Sequence, residues 1–246
     1  MRFGGLTALD TVSFTVSPGE VLGLIGPNGA GKTSLIDAVT GFVTPQGGRV
    51  LLGDHDIAGH SAARRARMGI GRSFQNLELF EDLSVADNVR VACDPAGAVS
   101  YALDPVLPRK LPLPGAALRA LELFGLTQSL DKMPEELSYG ERRLLAIART
   151  IAGEPSVLLL DEPAAGLAVE ERAQLTTLIR RLADEWGMAV LLVEHDMNLV
   201  MQTCDRLVVL DFGRRIAIGT PQEVSRQPEV IDAYLGSPAE PAEASA

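Results

Sequence analysis

The chain has 246 residues, 46% hydrophobic and 22% charged, the balance of a globular protein with a sizeable core. Its formal net charge of −10 argues against nonspecific nucleic-acid binding, which needs a basic field, and the one basic cluster, Arg64, Arg65 and Arg67, reads as a solvated helix face. No apolar run reaches the ~18–20 residues of a membrane-spanning helix and no signal peptide opens the chain; Cys93 and Cys204 have no metal or redox spacing, so reduced thiols of a cytosolic chain are expected.

Residues 9–16 alternate polar and apolar side chains, the pattern of a half-exposed strand. Pro18-Gly19 turns the chain into residues 21–25, a short apolar run expected to be a buried strand. Residues 32–40 read as a helix stopped by Gly41, 49–52 as a strand, 61–68 as a helix and 70–74 as an extended segment. Ser84-Val85-Ala86-Asp87 resembles a capping box opening a helix through about residue 92. Pro95, Pro105, Pro108, Pro112 and Pro114 then make the next segment a loop or insertion, before helical spacing resumes at 116–124 and 138–152. This helical middle, about 84–152, is expected to be a second lobe inserted into a strand-rich framework.

Alternation then returns: strand 157–160, helix 169–186, strand 188–193, short helix 198–203, and strand 206–210 before the turn Asp211-Phe212-Gly213. Strands alternating with helices predict an α/β fold with a largely parallel sheet covered on both faces. Residues 237–246 are small, acidic and proline-containing, and are expected to be a disordered tail. The chain contains no evident internal repeat.

Gly26-Pro27-Asn28-Gly29-Ala30-Gly31-Lys32-Thr33 fits G-x-x-x-x-G-K-[ST], with an apolar strand before it and a helix after it. Glycines let backbone amides close around phosphate oxygens, Lys32 supplies a point charge for the β- and γ-phosphates, and Thr33 a hydroxyl for Mg²⁺. The following helix turns its positive end to the anion, which brings Ser34 into the same cradle. The run 157–160 ends in Asp161-Glu162, two carboxylates at the C-terminal edge of the sheet. Asp161 is suited to the Mg²⁺ shell and Glu162 to deprotonating the attacking water. His195, after strand 188–193, could bridge a γ-phosphate and that water. Gln75, after the extended 70–74 segment, could reach Mg²⁺ or the water through its amide. In Leu137-Ser138-Tyr139-Gly140-Glu141, Ser138 suits a helix N-cap and Gly140 permits close approach of a phosphate.

Together these residues resemble the ATPase subunit of an ABC transporter, over nearly the whole chain. The resemblance implies a P-loop NTPase core with an inserted helical subdomain. It makes residues 26–33 the Walker A loop, Gln75 the Q-loop, 137–141 the signature, 157–162 the Walker B strand and His195 the switch histidine. Phe3 stands where the family places an aromatic that stacks on adenine, although the strand usual before it is missing. The family implies ATP and Mg²⁺ as ligands, and a head-to-tail dimer, homo- or heteromeric, in which Ser138 and Gly140 of one subunit complete the site that Gly26, Asn28, Gly29, Ala30, Gly31, Lys32, Thr33 and Ser34 form in its partner. It also implies permease subunits, received by the helical lobe and the 75–80 loop at the cytoplasmic face of the membrane, and indirectly a solute-binding protein.

A narrower resemblance, to Liv-type branched-chain amino-acid uptake ATPases, rests on residues 2–6, Ala164-Ala165-Gly166-Leu167, Glu194-His195-Asp196-Met197 and residues 219–221 and 234–236. Urea, amide and lipopolysaccharide-export ATPases share parts of it, and a soluble ATPase of iron–sulfur assembly remains a rival. Two departures stand out. Tyr139 replaces the first signature glycine, as in Liv-type relatives. Ala168-Val169 replaces the family's Asp or Asn followed by Pro, and Ala168 is a poor N-cap, costing the next helix about 1 kcal/mol.

Overall fold

The computed structural model describes residues 1–3, 6–73, 77–93 and 112–235, with backbone alone at Phe3, Leu6 and Leu235. The 237–246 tail, Gln75 and the stretch holding Pro95, Pro105 and Pro108 lie outside the described residues.

A six-stranded sheet forms the centre. Its strands are β3 (Val21–Ile25), β6 (Ile70–Ser73), β7 (Val157–Asp161), β8 (Ala189–Val193), β9 (Arg206–Asp211) and β10 (Arg214–Gly219). They lie in the order β10-β9-β3-β8-β7-β6, parallel throughout except for the β9–β10 hairpin. The strands are apolar along both faces because helices cover both. Val21, Leu158, Leu160, Val190, Leu192, Leu207 and Val209 enter one hydrophobic cluster, while Leu22, Leu24, Leu159, Leu191, Val193, Val208 and Leu210 enter the other. That two-residue alternation sorts each strand between two cores. Burying each of these side chains contributes roughly 1.5–3 kcal/mol.

One face carries α1 (Lys32–Thr40) and α2 (Ala62–Arg67), with Ile36 and Ile57 buried beneath them. The other carries α3 (Val85–Cys93), α4 (Gly115–Leu123) and α5 (Tyr139–Ala152), which pack on one another, and α6 (Val169–Asp184) with α7 (Met197–Thr203). Ser84 does cap α3: its Oγ accepts from the Asp87 amide at 3.1 Å and donates to the Asp87 carboxylate at 2.9 Å. Two short helices, α8 (Pro221–Val224) and α9 (Pro228–Leu235), close the described chain.

Three local expectations are corrected. Residues 9–16 keep their alternation, with Val12, Phe14 and Val16 packed on the second core, but they form no strand. The backbone turns at Thr11 (φ 56°), and residues 12–17 join no ladder. Residues 49–52 shrink to β4 (Leu51–Leu52), paired with β5 (His55–Asp56), while β1 (Arg2–Phe3) and β2 (Leu6–Thr7) form a separate hairpin. The basic trio is not a uniformly solvated face. Arg65 is 1% exposed and donates to the carbonyls of Ala38, Val39, Ala58 and His60 at 2.7, 2.7, 2.8 and 3.0 Å. The first two carbonyls are orphans at the C-terminal end of α1, and only a buried cation with a fork of donors satisfies them all.

Candidate active site

The parallel register brings three loops out of one sheet edge. Asp161 pairs with Val193, and Val193 with Leu24. The chain leaving β3 enters the 26–31 loop, that leaving β7 enters Glu162, and that leaving β8 enters Glu194-His195. Of the sequence candidates, the 26–34 phosphate residues, Asp161, Glu162 and His195 lie at these three exits.

In the first loop Gly26 (φ 150°) and Gly31 (φ 100°) take backbone conformations a side chain resists. A Cβ at Gly26 would overlap the Leu210 carbonyl oxygen, and one at Gly31 the Ala8 carbonyl oxygen. Asn28 and Gly29 are exposed at the tip, and Ala30 is buried, its carbonyl accepting from the Gly213 amide at 3.0 Å. Lys32 is 7% exposed, and its Nζ donates to the carbonyls of Gly26 (2.6 Å) and Pro27 (3.0 Å). An ammonium carries three donors, so one proton remains for an anion at the loop mouth. Burial lowers the Lys32 pKa, while Glu162 and Asp161 raise it. Thr33 and Ser34 occupy the first turn of α1, where amides lack helical partners.

The second loop begins at Asp161, 8% exposed, whose carboxyl is pushed up by burial and pulled down by Arg72. Glu162 follows with φ 48°, a left-handed backbone rare outside glycine and concentrated at functional sites. Its amide donates to the Val193 carbonyl at 2.9 Å, fixing the turn to β8. The turn puts Glu162 Oε1 2.8 Å from His195 Nε2, with both side chains partly exposed. A carboxylate and an imidazole in contact at the mouth of an anion loop can position a water and take its proton. The Thr33 hydroxyl and the Asp161 carboxylate are hard oxygen donors, the kind that fits Mg²⁺.

Glu194, which sequence reasoning passed over, is 4% exposed and holds this pair together. Its carboxylate accepts from the Ala164 amide at 2.8 Å and the His195 amide at 3.1 Å, while burial pushes its carboxyl upward. Asp196 adds a second tie. It caps α7 through the Asn198 and Leu199 amides and pairs with Arg172 at 2.9 Å, and Arg172 Nε donates to the Leu167 carbonyl at 2.9 Å. A carboxylate ending an otherwise apolar strand was the available signal for Glu194.

Ser138 and Gly140 stand elsewhere, at the start of α5. Ser138 Oγ accepts from the Glu141 amide (3.2 Å) and the Glu141 carboxylate from the Ser138 amide (2.8 Å), a reciprocal capping box that holds the Glu141 carboxyl below its usual value. Tyr139 lies against Gly166, its hydroxyl donating to the Ala165 carbonyl at 3.3 Å. The buried Arg143 donates to the same carbonyl at 3.2 Å and stacks on the Tyr139 ring. The 137–141 turn is thus tied to the loop after Glu162. Ala168 stands at the N-cap of α6 with no side-chain bond, as expected; only the return bond from its amide to Glu171 Oε2, at 2.8 Å, is made. Of Phe3 the structure describes only the backbone, in β1.

The family model "ABC transporter" matches residues 9–165, and the model "Branched-chain amino acid ATP-binding cassette transporter" matches residues 214–240. This chain belongs to the ABC transporter ATPase family. It is 41% identical over 241 residues to the high-affinity branched-chain amino acid transport ATP-binding protein LivG of Escherichia coli (strain K12), covering 96% of this chain and 94% of LivG. It is 40% identical, with the same coverage, to the corresponding protein BraF of Pseudomonas aeruginosa. The fold matches the ABC transporter cassette MJ1267 in its ADP conformation (TM-score 0.82, 30% identity, 96% of each chain). The dimeric cassette MJ0796 bound to ADP and phosphate shares the fold at TM-score 0.72 and 23% identity, covering 90% of this chain and 94% of that one. ABC ATPase architecture, with its P-loop NTPase sheet, is therefore the fold and the chemistry of this chain.

Proposed function

We propose that this ABC ATPase energises the uptake of branched-chain or related amino acids, acting as a dimer on permease subunits at the cytoplasmic face of the membrane and, through them, on a solute-binding protein. The C-terminal match, together with the LivG and BraF likeness, supports amino-acid uptake over iron–sulfur assembly or lipopolysaccharide export. The observation that carries the mechanism is the 2.8 Å contact of Glu162 with His195 beside the 26–33 loop.

In this reading the 26–31 amides, Lys32 and the first turn of α1 hold the ATP phosphates, with Phe3 against adenine. Thr33, Asp161 and Gln75 would hold Mg²⁺, which when bound would neutralise phosphate charge. Glu162 takes a proton from a water whose oxygen attacks the γ-phosphorus, and the β–γ bridging P–O bond breaks to release ADP. His195, held through Glu194, orients Glu162 and the water. Ser138, facing the ATP of a second subunit (another copy of this chain or a paralogue), donates a hydrogen bond to its γ-phosphate while the oxygen still caps α5, and Gly140 lets the phosphate approach. The helices within residues about 84–152 form the lobe that receives a permease helix. A groove of about 1280 Å³ lined by Ser73, Leu77, Phe80, Cys93 and Arg149 supports that seat.

Glu162→Gln keeps the shape and removes the base. ATP binding is expected to persist while hydrolysis falls about 10²–10⁴-fold, with an ATP-dependent dimer accumulating in size-exclusion chromatography. Wild-type turnover would remove Glu162 from the role of base. Lys32→Ala is expected to abolish nucleotide binding, and retained affinity would count against the phosphate loop.

A further inference from the structure

Arg72 lies on β6, in register with Leu159 of the neighbouring β7. Its side chain is 10% exposed and reaches between α1 and the end of β7. Nη1 donates to Asp37 Oδ1 at 2.7 Å and to Thr40 Oγ1 at 3.4 Å, and Nη2 to Asp161 Oδ2 at 3.4 Å. The Phe42 ring sits 5.5 Å from its Cζ. The guanidinium is therefore anchored on α1 by the shorter bond and leans on Asp161 with the longer one. Lys32, which also feels the Asp161 charge, is bonded to the Gly26 and Pro27 carbonyls.

We propose that Arg72 is the resident counter-cation of Asp161, and that it makes divalent-cation binding at this carboxylate conditional on nucleotide. A guanidinium stays charged at every accessible pH, and at this depth its field is little screened by salt. A bare divalent cation approaching Asp161 is attracted by Glu162 and Asp37 as well, but Asp37 is already paired with Arg72, and the cation meets the repulsion of Arg72 and of Lys32. A cation carried on ATP phosphates arrives with net negative charge, and the same two side chains then attract it. The long Asp161 bond lets the carboxylate be shared, while the short Asp37 bond keeps Arg72 in place. Arg72 is thus a positioning residue acting through Asp161, and the inference rests on the reading of Asp161 as a Mg²⁺-holding group.

The test uses the full chain and four variants: Arg72→Met, Arg72→Gln, Arg72→Lys and Asp161→Asn. Thermal midpoints are measured against MgCl₂ without nucleotide at constant ionic strength, and fluorescent-ATP affinity is measured with and without Mg²⁺. In the wild type, Mg²⁺ alone is expected to leave the midpoint unmoved. In Arg72→Met the midpoint starts lower and rises with Mg²⁺ alone, at about tenfold lower concentration than any response of the wild type. Arg72→Gln, which keeps a donor toward Asp37 without the charge, behaves in the same way and serves if the Met variant does not fold. Arg72→Lys restores the wild-type response. An unchanged Mg²⁺ response in the neutral variants overturns the inference. If Asp161→Asn also leaves the Mg²⁺ dependence of ATP affinity unchanged, the reading of Asp161 has failed instead.

Discussion

Gly140 offers a sharp test of what the 137–141 turn is built for. A Cβ at this position would overlap Glu171 Oε1, with Glu171 Cδ only 2.7 Å away. The obstacle is the end of a flexible side chain, so Gly140→Ala can be accommodated if the carboxylate swings aside. The swing breaks the Ala168 amide bond to Glu171 Oε2, which costs about 1 kcal/mol at an exposed site. Alanine in place of glycine within a helix returns up to about 1 kcal/mol. The net change in stability is therefore expected to stay within about 1 kcal/mol. In Gly140→Ala with Glu171→Ala the overlap is gone, and the double variant should be at least as stable as Glu171→Ala alone. Guanidinium unfolding of the four proteins yields the coupling energy, expected near 1 kcal/mol. ATP hydrolysis separates the two uses of the glycine. If a partner's phosphate also needs the space, turnover stays depressed in the double variant although stability is restored. A loss above about 3 kcal/mol in Gly140→Ala with no rescue by Glu171→Ala would refute the reasoning.

Arg65→Met removes four hydrogen bonds to carbonyls from a side chain 1% exposed, and is expected to destabilise by about 3–5 kcal/mol. In a chain of this size that is a fall of roughly 6–20 °C in thermal midpoint, and a fall under 2 °C would return Arg65 to the solvated face first expected. Ala168→Ser installs an acceptor where the backbone already has N-cap angles (φ −66°, ψ 164°), and should raise stability by about 0.5–1 kcal/mol in chemical denaturation. No gain would show that the loop cannot use a cap. Cys204 is 8% exposed with its thiol pushed up to about 12 by burial, and burial raises Cys93 as well. A pKa of about 12 leaves roughly one thiol in 10⁴ ionised at pH 8, so a small alkylating reagent should modify Cys204 only after unfolding. Fast labelling of Cys204 in the native chain would contradict that burial.

The central strands were legible because a parallel sheet covered on both faces leaves continuous apolar runs, and β3, β7, β8 and β9 are such runs. Of the remaining two, only β6 was expected, as an extended stretch; Arg214–Gly219 was passed over. It carries two arginines on the exposed edge, and its strand character comes from pairing with β9 across the Phe212-Gly213 turn, where both residues have positive φ. Residues 9–16 failed in the opposite direction. Their alternation reports a surface packed on one side, which they have, whereas a strand also needs a neighbour's hydrogen bonds. The 26–33 loop and the Asp161-Glu162 pair were readable because their chemistry is local. The contact between Glu162 and His195 could be expected only from both lying at strand ends.

What stayed hidden is the charge that local pattern cannot place. Arg65 sits among Arg64 and Arg67 in a helix of six residues, and nothing in its own turn separates it from them. Its partners at Ala38 and Val39 lie 27 and 26 residues back along the chain. Arg72 meets Asp37 and Asp161 across 35 and 89 residues, and Glu194 meets the Ala164 amide across 30. Each is a charged side chain made affordable by at least one group distant in sequence that only the tertiary fold brings near. Two of them bear directly on the candidate site: Arg72 on the carboxylate read as the metal holder, and Glu194 on the loop of His195. Motif chemistry sets out which atoms meet the phosphates, and these long-range pairs decide how firmly and under what charge those atoms are held. Substitutions at Arg72 and Glu194 are accordingly expected to change cation dependence and loop order with the phosphate loop itself untouched.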